Sequence, residues 1–552
     1  MSLDHETMQG PRGQVASRTL MENRRRLEPE AIPITHTLFC VVGVNICNTQ
    51  LVLTPEGVVV VDTGRSSADG EAILEIVDSV SDKPVIAVIY SHSLYTFGTT
   101  VILDRYPGIP VIAHHRVHGN ITRSATGVRR FMTRRGRMES ARYLPASGPD
   151  ADAIDRRIET PGSMGYVRPT IELTDAVTTM TLGGASFTFH TTYTFDTDDT
   201  LLIWYEDQRA IMHNHFSDNF PNVYPIQGGP YRDPLPWLDG IDRMRDYRPH
   251  HLLSTHGVPT SGVDACMERL TLMRDALQFV HDQTIRGMNR HLEPEAIVDF
   301  VQLPEALRVA PELTQTYGIV ANHVRGVYAG LAGRFDGSAA SIYAPPPQEE
   351  AACLIRDLGG VEAAATAVRT AISRGEHRWA VHLARRLYRH TPDAPGVRSL
   401  YASLLRHFGR HTTAWTIRNY YLSEARIVEG NLRTDEPERT IDVEMALLTE
   451  AGTFVRSLGY RANPDTFPDT PVTCRVEFVD TQFECTIILR NGVMEYRDAP
   501  DRCGCDYAIR CARRTWIEAA DSIKPFALIV DRDGVDCLPS REALRALLAA
   551  FD

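Results

Sequence analysis

The stretch Tyr90 to Thr100 reads YSHSLYTFGTT and follows the apolar run VIAVIY, Val85 to Tyr90. That run has the composition of a buried strand. A histidine just past a strand end, here His92, is well placed to offer a ring nitrogen to a metal. Two further histidine clusters invite the same chemistry. In HNH, strand alternation sends His213 and His215 to one face, so either can act as ligand and the other as acid or base. His114 and His115 in IAHHRVHG lie close to His92 in sequence and could supply a replacement ligand.

Residues 36–262 alternate strand and loop signals with helical stretches, the pattern of a mixed α/β domain. QLVLTPEGVVVVDTG reads as two strands joined by a Pro-Glu-Gly turn and ending on Asp62 and Gly64; TTMTL and SFTFH flank Gly183-Gly184-Ala185, and LLIWY and RAIMH flank Glu206-Asp207-Gln208, two hairpin signals. From about Val263 the period changes: Leu270, Met273, Leu277 and Val280 recur at helical spacing. LEPEAIVDFVQLP reads as a helix with an early proline that stops at Pro304, YAPPPQEE as a connector, and the segment from His377 to Gly409 as two antiparallel helices. The last ~110 residues return to strands in TPVTCRVEFVD, QFECTIILRNGVMEY and PFALIVDRDG, with a tight turn at Asn491-Gly492 and an amphipathic closing helix, SREALRALLAAF.

The whole chain bounds these readings. Its 552 residues exceed a single core, and its net charge of -12 argues against nucleic acid as a main partner. Basic runs such as RRFMTRRGR, Arg129 to Arg137, are short and read as a solvated or interface face. The opening MSLDHETMQGPRGQ is polar and no apolar run is long enough to span a bilayer, so a soluble cytoplasmic protein is expected. Of ten cysteines six follow residue 470, and CGC at Cys503 and Cys505 is not zinc-ribbon spacing, so these read as buried or free thiols.

The three-part layout resembles the alkylsulfatases of the metallo-β-lactamase superfamily. The resemblance is carried by YRDPLPW (Tyr231 to Trp237), FVHDQTIRGMN (Phe279 to Asn289), YGIVANHVRGVYAGLAGRFDGS (Tyr317 to Ser338), GEHRW (Gly375 to Trp379), RNYYLSEA (Arg418 to Ala425) and RNGV (Arg490 to Val493). It implies an N-terminal extension over 1–34, a metallo-β-lactamase-like αββα sandwich over 35–262, an all-α dimerisation domain over 263–430 and a small α+β sterol-carrier-like domain over 436–552. It also implies a homodimer.

The catalytic motif is where the resemblance breaks. The family's H-x-H-x-D-H-F-G supplies four ligands to two metals; here the stretch is HSLYTFG. His92 keeps the first position, Leu94 replaces the second histidine, Thr96 falls where the aspartate belongs, and the last histidine is deleted or replaced by Phe97. A leucine or phenyl ring offers no lone pair, so the usual two-metal centre is expected to be absent. Three downstream family ligands align with Asp196, with His215 nineteen residues later, and with His256 in STHGVPTSG. All three are ligand-capable. The resemblance therefore implies a rebuilt, mononuclear site of His92, Asp196, His215 and His256 around one divalent zinc, iron or manganese ion. Asp196 or His213 would move the proton. Asp62 would brace the loop by hydrogen bonds rather than bind metal.

The substrate side differs too. Asn222 matches a family asparagine, but Gln227 stands where a sulfate-binding arginine belongs and cannot give its bidentate contact. A family His-Asn pair is inverted to Asn322-His323, which turns the imidazole by roughly 100° around a helix. Arg334 replaces a tryptophan and could restore some positive charge. These departures make ordinary sulfate-ester hydrolysis doubtful. The expected function is a divergent, metal-dependent hydrolase-like enzyme acting on a small or amphiphilic organic substrate. The alternatives are a non-haem-iron oxygenase, lyase or isomerase, and a catalytically silent dimeric binding protein. Trp237, Trp379 and Trp415 are expected to be core or interface anchors.

Overall fold

The computed structural model describes residues 5–23, 28–123, 127–154, 163–214, 218–226, 228–432, 442–499, 504–522 and 524–552. By its internal contacts the chain falls into two compact units, one drawn from Met1–Val117 and Arg134–Thr434, the other from His118–Thr133 and Asp435–Asp552.

The first unit opens with a short ribbon, β1 (Thr7–Gln9) and β2 (Val15–Ser17). A seven-stranded sheet follows in sequence order: β3 (Glu30–Pro33), β4 (Leu38–Val42), β5 (Thr49–Leu53), β6 (Val58–Val61), β7 (Val85–Ile89), β8 (Val111–His114) and β9 (Ile171–Leu173). Pairing is antiparallel from β3 to β6 and parallel from β6 to β9. The parallel part is where a strand must be covered on both faces, and β6 is four valines, all buried. The second sheet holds β10 (Val177–Leu182), β11 (Ala185–His190), β12 (Leu202–Tyr205), β13 (Ala210–His213), β14 (His251–Ser254) and β15 (Thr260–Ser261).

The two sheets share one core. Val42, Val59, Val61, Ile89 and Ile112 from the first pack with Phe187, Phe189, Ile203, Met212 and Leu253 from the second. The helix Ser67–Val80 turns Ile73, Leu74 and Val77 inward. On the other side Trp204, Ile211 and Leu252 pack against Trp237, Ile241 and Met244 of the helix Pro234–Tyr247 and against the long helix Val263–Met288. The αββα layering expected from sequence is present.

The hairpin readings hold. Leu182 pairs with Ala185 across Gly183-Gly184, both at positive φ, and Tyr205 pairs with Ala210. The helical middle forms as its period requires: Leu270, Met273, Leu277 and Val280 are all buried, and Pro294 opens the helix Pro294–Phe300. The helices His377–His390 and Pro395–His411 follow. Trp237 and Trp415 are core residues, the latter donating Nε1 to Asp152 Oδ1 at 2.7 Å, whereas Trp379 is exposed.

The second unit carries a five-stranded sheet of β16 (Val472–Phe478), β17 (Phe483–Arg490), β18 (Val493–Arg497), β19 (Tyr507–Cys511) and β20 (Asp536–Leu538), in the order β18-β17-β16-β19-β20. Asn491 and Gly492 make the tight turn at positive φ. PFALIVDRDG, expected as a strand, is instead a 3₁₀ run over Phe526–Asp531. Pro525 starts it, and the buried positions Phe526, Ala527, Ile529 and Val530 follow a helical rather than an alternating spacing. The described cysteines are free thiols, with Cys474, Cys485 and Cys511 buried; Cys503 lies outside the described residues.

Candidate functional site

His92 sits where β7 runs out, at the N-cap of a 3₁₀ turn over Ser93–Tyr95, and is wholly buried. The loop after it cannot drift. Thr63 N donates to Tyr95 O at 2.8 Å and Phe97 N to Gly64 O at 3.1 Å. Gly98 lies against Gly70 so closely that a Cβ there would meet Thr63 O at 2.1 Å and Gly70 Cα at 2.8 Å. Glycine is the residue that permits this approach.

Asp62 braces the strand end, as expected. It takes a left-handed backbone, φ 63°, which aspartate tolerates better than most residues. Its Oδ1 accepts Ser91 N at 2.8 Å and its Oδ2 accepts Ser91 Oγ at 2.6 Å. Ser91 Oγ also lies 2.8 Å from His92 Nδ1. With Asp62 ionised, the serine proton goes to the carboxylate, so the serine oxygen accepts from Nδ1–H. Above the raised pKa of Asp62 the tautomer follows: Nε2 carries the lone pair. It is buried and makes no hydrogen bond among the described residues. Burial drives the pKa of His92 down to about 4, opposed by Asp196 and Asp199 and assisted by His256 and Arg232. Burial likewise pushes Asp62 up to about 7, against the pull of its bonds from Ser91.

The other half of the pocket is engaged. His256 Nδ1 donates to Ile46 O at 2.9 Å, which leaves Nε2 as acceptor; Tyr95 OH reaches it at 3.3 Å. The Tyr95 ring stands edge-on between the two histidines, 5.1 Å from His92 and 5.5 Å from His256 by ring centroids. Asp196 is ion-paired with Arg232, Oδ1 to Nη1 at 2.5 Å, both side chains being mostly buried. Nη1 of Arg232 also donates to Asn222 O at 2.7 Å. Asp199 is fully buried and accepts Ser93 N at 3.4 Å.

These positions sort the sequence candidates. His92, Asp196 and His256 fall in one neighbourhood, since Asp196 and His256 are both felt electrostatically by His92. Asn222 joins them through its carbonyl. His215 and Gln227 lie outside the described residues. His213 ends β13 and is fully buried, its pKa driven to about 3 by burial and by the Arg269 charge. His323 is in the helical core, its ring 6.1 Å from Phe220, with neither nitrogen hydrogen-bonded among the described residues. Asn322 is half-buried and accepts Arg325 Nη1 at 3.2 Å. Arg334 is exposed beyond the helix that ends at Ala332. His114 uses both nitrogens, Nδ1 accepting Arg116 N at 3.0 Å and Nε2 donating to Thr191 O at 3.2 Å, so it has no lone pair to offer. Leu94 is exposed and Thr96 buried.

Sequence reasoning missed Tyr95, Arg232, Asp199 and Ser91. Tyr95 stood in the motif itself but at a spacer position; only the 3₁₀ turn brings it between the histidines. Arg232 stood in YRDPLPW, read solely as a point of resemblance.

A metal tested against this pocket fits in part. His92 Nε2 is a fixed, open imidazole donor. Asp196 and His256 keep ligand chemistry, but Asp196 Oδ1 faces Arg232 and His256 Nε2 faces the Tyr95 hydroxyl. Among the described residues no group of three or more His, Cys, Asp or Glu could hold a metal ion.

Comparison with known proteins agrees with this fold. The solved structure of the stereoselective inverting sec-alkylsulfatase Pisa1 from Pseudomonas sp. superposes with a TM-score of 0.82 at 21% identity, covering 99% of this chain and 91% of that one. Residues 293–431 match the alkyl sulfatase dimerisation family. A linear primary-alkylsulfatase of Pseudomonas sp. is 27% identical over 473 residues, 82% of this chain and 88% of its own length. An (R)-specific secondary-alkylsulfatase of Pseudomonas sp. is 25% identical over 526 residues, 90% of this chain and 78% of that protein. The two-sheet sandwich followed by a helical region is therefore the fold of that sec-alkylsulfatase structure. In sequence and fold the chain is similar to these alkylsulfatases, and over residues 293–431 to their dimerisation family. Among the described residues no helix is long and apolar enough to cross a membrane.

Proposed function

We propose that the chain is a divergent alkylsulfatase-like hydrolase acting on a small or amphiphilic organic substrate. The observation that carries this is His92. Its ring is fixed by Asp62 through Ser91, and its Nε2 lone pair is kept open in a buried pocket. A neutral imidazole so held is suited to take a proton from an attacking water or to ligate a divalent metal. A metal, which the fold family implies, would be held at His92, and it supplies a more acidic bound water when present. His215 is the further ligand proposed for it, and His213 stays a proposed proton carrier. Asp196 Oδ1 and His256 Nε2 are turned to Arg232 and Tyr95. The test is release of the alcohol from medium-chain alkyl sulfates and carboxylic esters by the purified full chain. Turnover lost in His92→Ala, with an unchanged thermal midpoint, supports the reading; equal turnover in that variant refutes it.

A second reading, a catalytically silent binding protein, is favoured by the Tyr95 and Arg232 contacts, and absence of turnover on every ester would select it. On either reading a homodimer is proposed. Leu331, Phe335, Ile342 and Tyr343 in and after the helix Val320–Ala332 are exposed at 55%, 49%, 61% and 93%. Water-facing apolar side chains at this density suit a surface that a second copy covers. Light scattering should give a dimer at micromolar concentration, and Ile342→Glu with Tyr343→Glu should shift it to monomer. The sterol-carrier-like reading of residues 436–552 is likewise a proposal; retention of a fluorescent fatty acid by the full chain would support it.

A further inference from the structure

Asp196 aligns with a metal ligand of the family, yet the charge it faces here is Arg232. That pair has a consequence for the ligand. A guanidinium has five N–H donors in a planar fork, and the edge formed by Nε and one terminal nitrogen matches two oxygens of an oxyanion. In Arg232 a single nitrogen, Nη1, serves both protein contacts, Asp196 Oδ1 and Asn222 O. Nε and Nη2 have no partner among the described residues. The side chain is only 15% exposed, so it is held rather than waving in water. Its charge reaches both His92 and Tyr317, which places it in the pocket. Arg65, exposed and without an ion pair among the described residues, adds a second positive charge felt by Tyr95 and Tyr317.

We propose that Arg232 is the resident cation of this pocket and grips the oxyanion head of the ligand through its Nε–Nη2 edge, with no metal between them. Asp196 is then a positioning residue, which orients the guanidinium by holding its far nitrogen. Gln227, neutral at the family's arginine position, need not bind the head at all. The inference rests on the pocket of the proposed function being the ligand site, but not on turnover.

Calorimetry on the full chain, dialysed against a chelator, tests it with octane-1-sulfonate and with inorganic sulfate as probes. Wild type should bind octane-1-sulfonate once per chain, equally well with and without chelator. Arg232→Gln should weaken binding about 30-fold, the scale of a lost charge-assisted contact. Arg232→Lys should weaken it about 10-fold, because a point charge replaces a fork. Asp196→Asn gives the opposite sign: removing a carboxylate near the head should tighten binding about threefold. A metal-ligand role for Asp196 requires that same change to weaken it. Binding abolished by chelator and restored by zinc overturns the proposal. So does wild-type affinity in a folded Arg232→Gln chain, or a tenfold loss in Asp196→Asn. Where Arg232→Gln does not fold, Asp196→Asn carries the test. A chain that binds the sulfonate by Arg232 yet cleaves no ester refutes the hydrolase reading and leaves this one standing.

Discussion

The two halves of the pocket are built differently. The His92 half grows from the parallel part of the first sheet: β6 delivers Asp62, β7 delivers Ser91 and His92, and each hydrogen bond points toward an open Nε2. The Asp196 and His256 half is carried on loops of the second sheet, where Asp196 Oδ1 faces Arg232 and His256 Nε2 faces Tyr95. A strand end fixes direction through ladder bonds on both sides; a loop is free to accept a new partner from a neighbouring loop. The contrast teaches that a side chain keeps its direction where the sheet enforces it and takes a new partner where a loop carries it.

Substitutions can break that contrast. The largest effect is expected on the sheet-borne side. Asp62→Ala leaves Ser91 N and Oγ buried without their acceptor and should lower unfolding free energy by about 3 kcal/mol, read by denaturant melts. An effect below about 0.5 kcal/mol would mean that the brace carries nothing. Next comes the pH response of the helical core. His323 is buried and held neutral, its pKa driven to about 3 mainly by burial. The unfolded chain takes up this proton below about pH 6.5 and the folded chain does not, so stability present above 6.5 is lost as pH falls. From 6.5 to 5 the loss should approach about 2 kcal/mol. His323→Leu should remove that part of the slope; an unchanged slope would show that the imidazole protonates freely in the folded state.

Smaller effects sharpen the other side. Tyr95→Phe removes one hydrogen bond and should cost about 1 kcal/mol while opening His256 Nε2, so zinc bound per chain after dialysis should rise. Asp196→Ala should cost about 1–2 kcal/mol, because the mostly buried Arg232 loses its counter-charge. A cost above that of Asp62→Ala would invert the comparison.

Much of the fold was legible. Valine runs, the Gly183-Gly184 turn and the 3.6-residue period of Leu270 to Val280 are local signals, and local physics decided them. PFALIVDRDG was not legible as a 3₁₀ run, because a short apolar segment suits a strand or a helical turn until its packing partners are known. In the site, His92 and the bracing role of Asp62 could be read because both lie beside strand ends. Tyr95 and Arg232 could not, because motif spacing names the expected ligands and is silent on side chains that take the ligands' places. Asp196 and Arg232 stand 36 positions apart, and nothing in either local sequence announces the pair.

The most direct test is an anomalous diffraction map from crystals of the full chain grown with zinc. Arg232 is expected on Asp196, Tyr95 on His256, and any zinc peak near His92 standing clear of both. A peak bonded jointly to His92, Asp196 and His256, with Arg232 swung away, would contradict this arrangement.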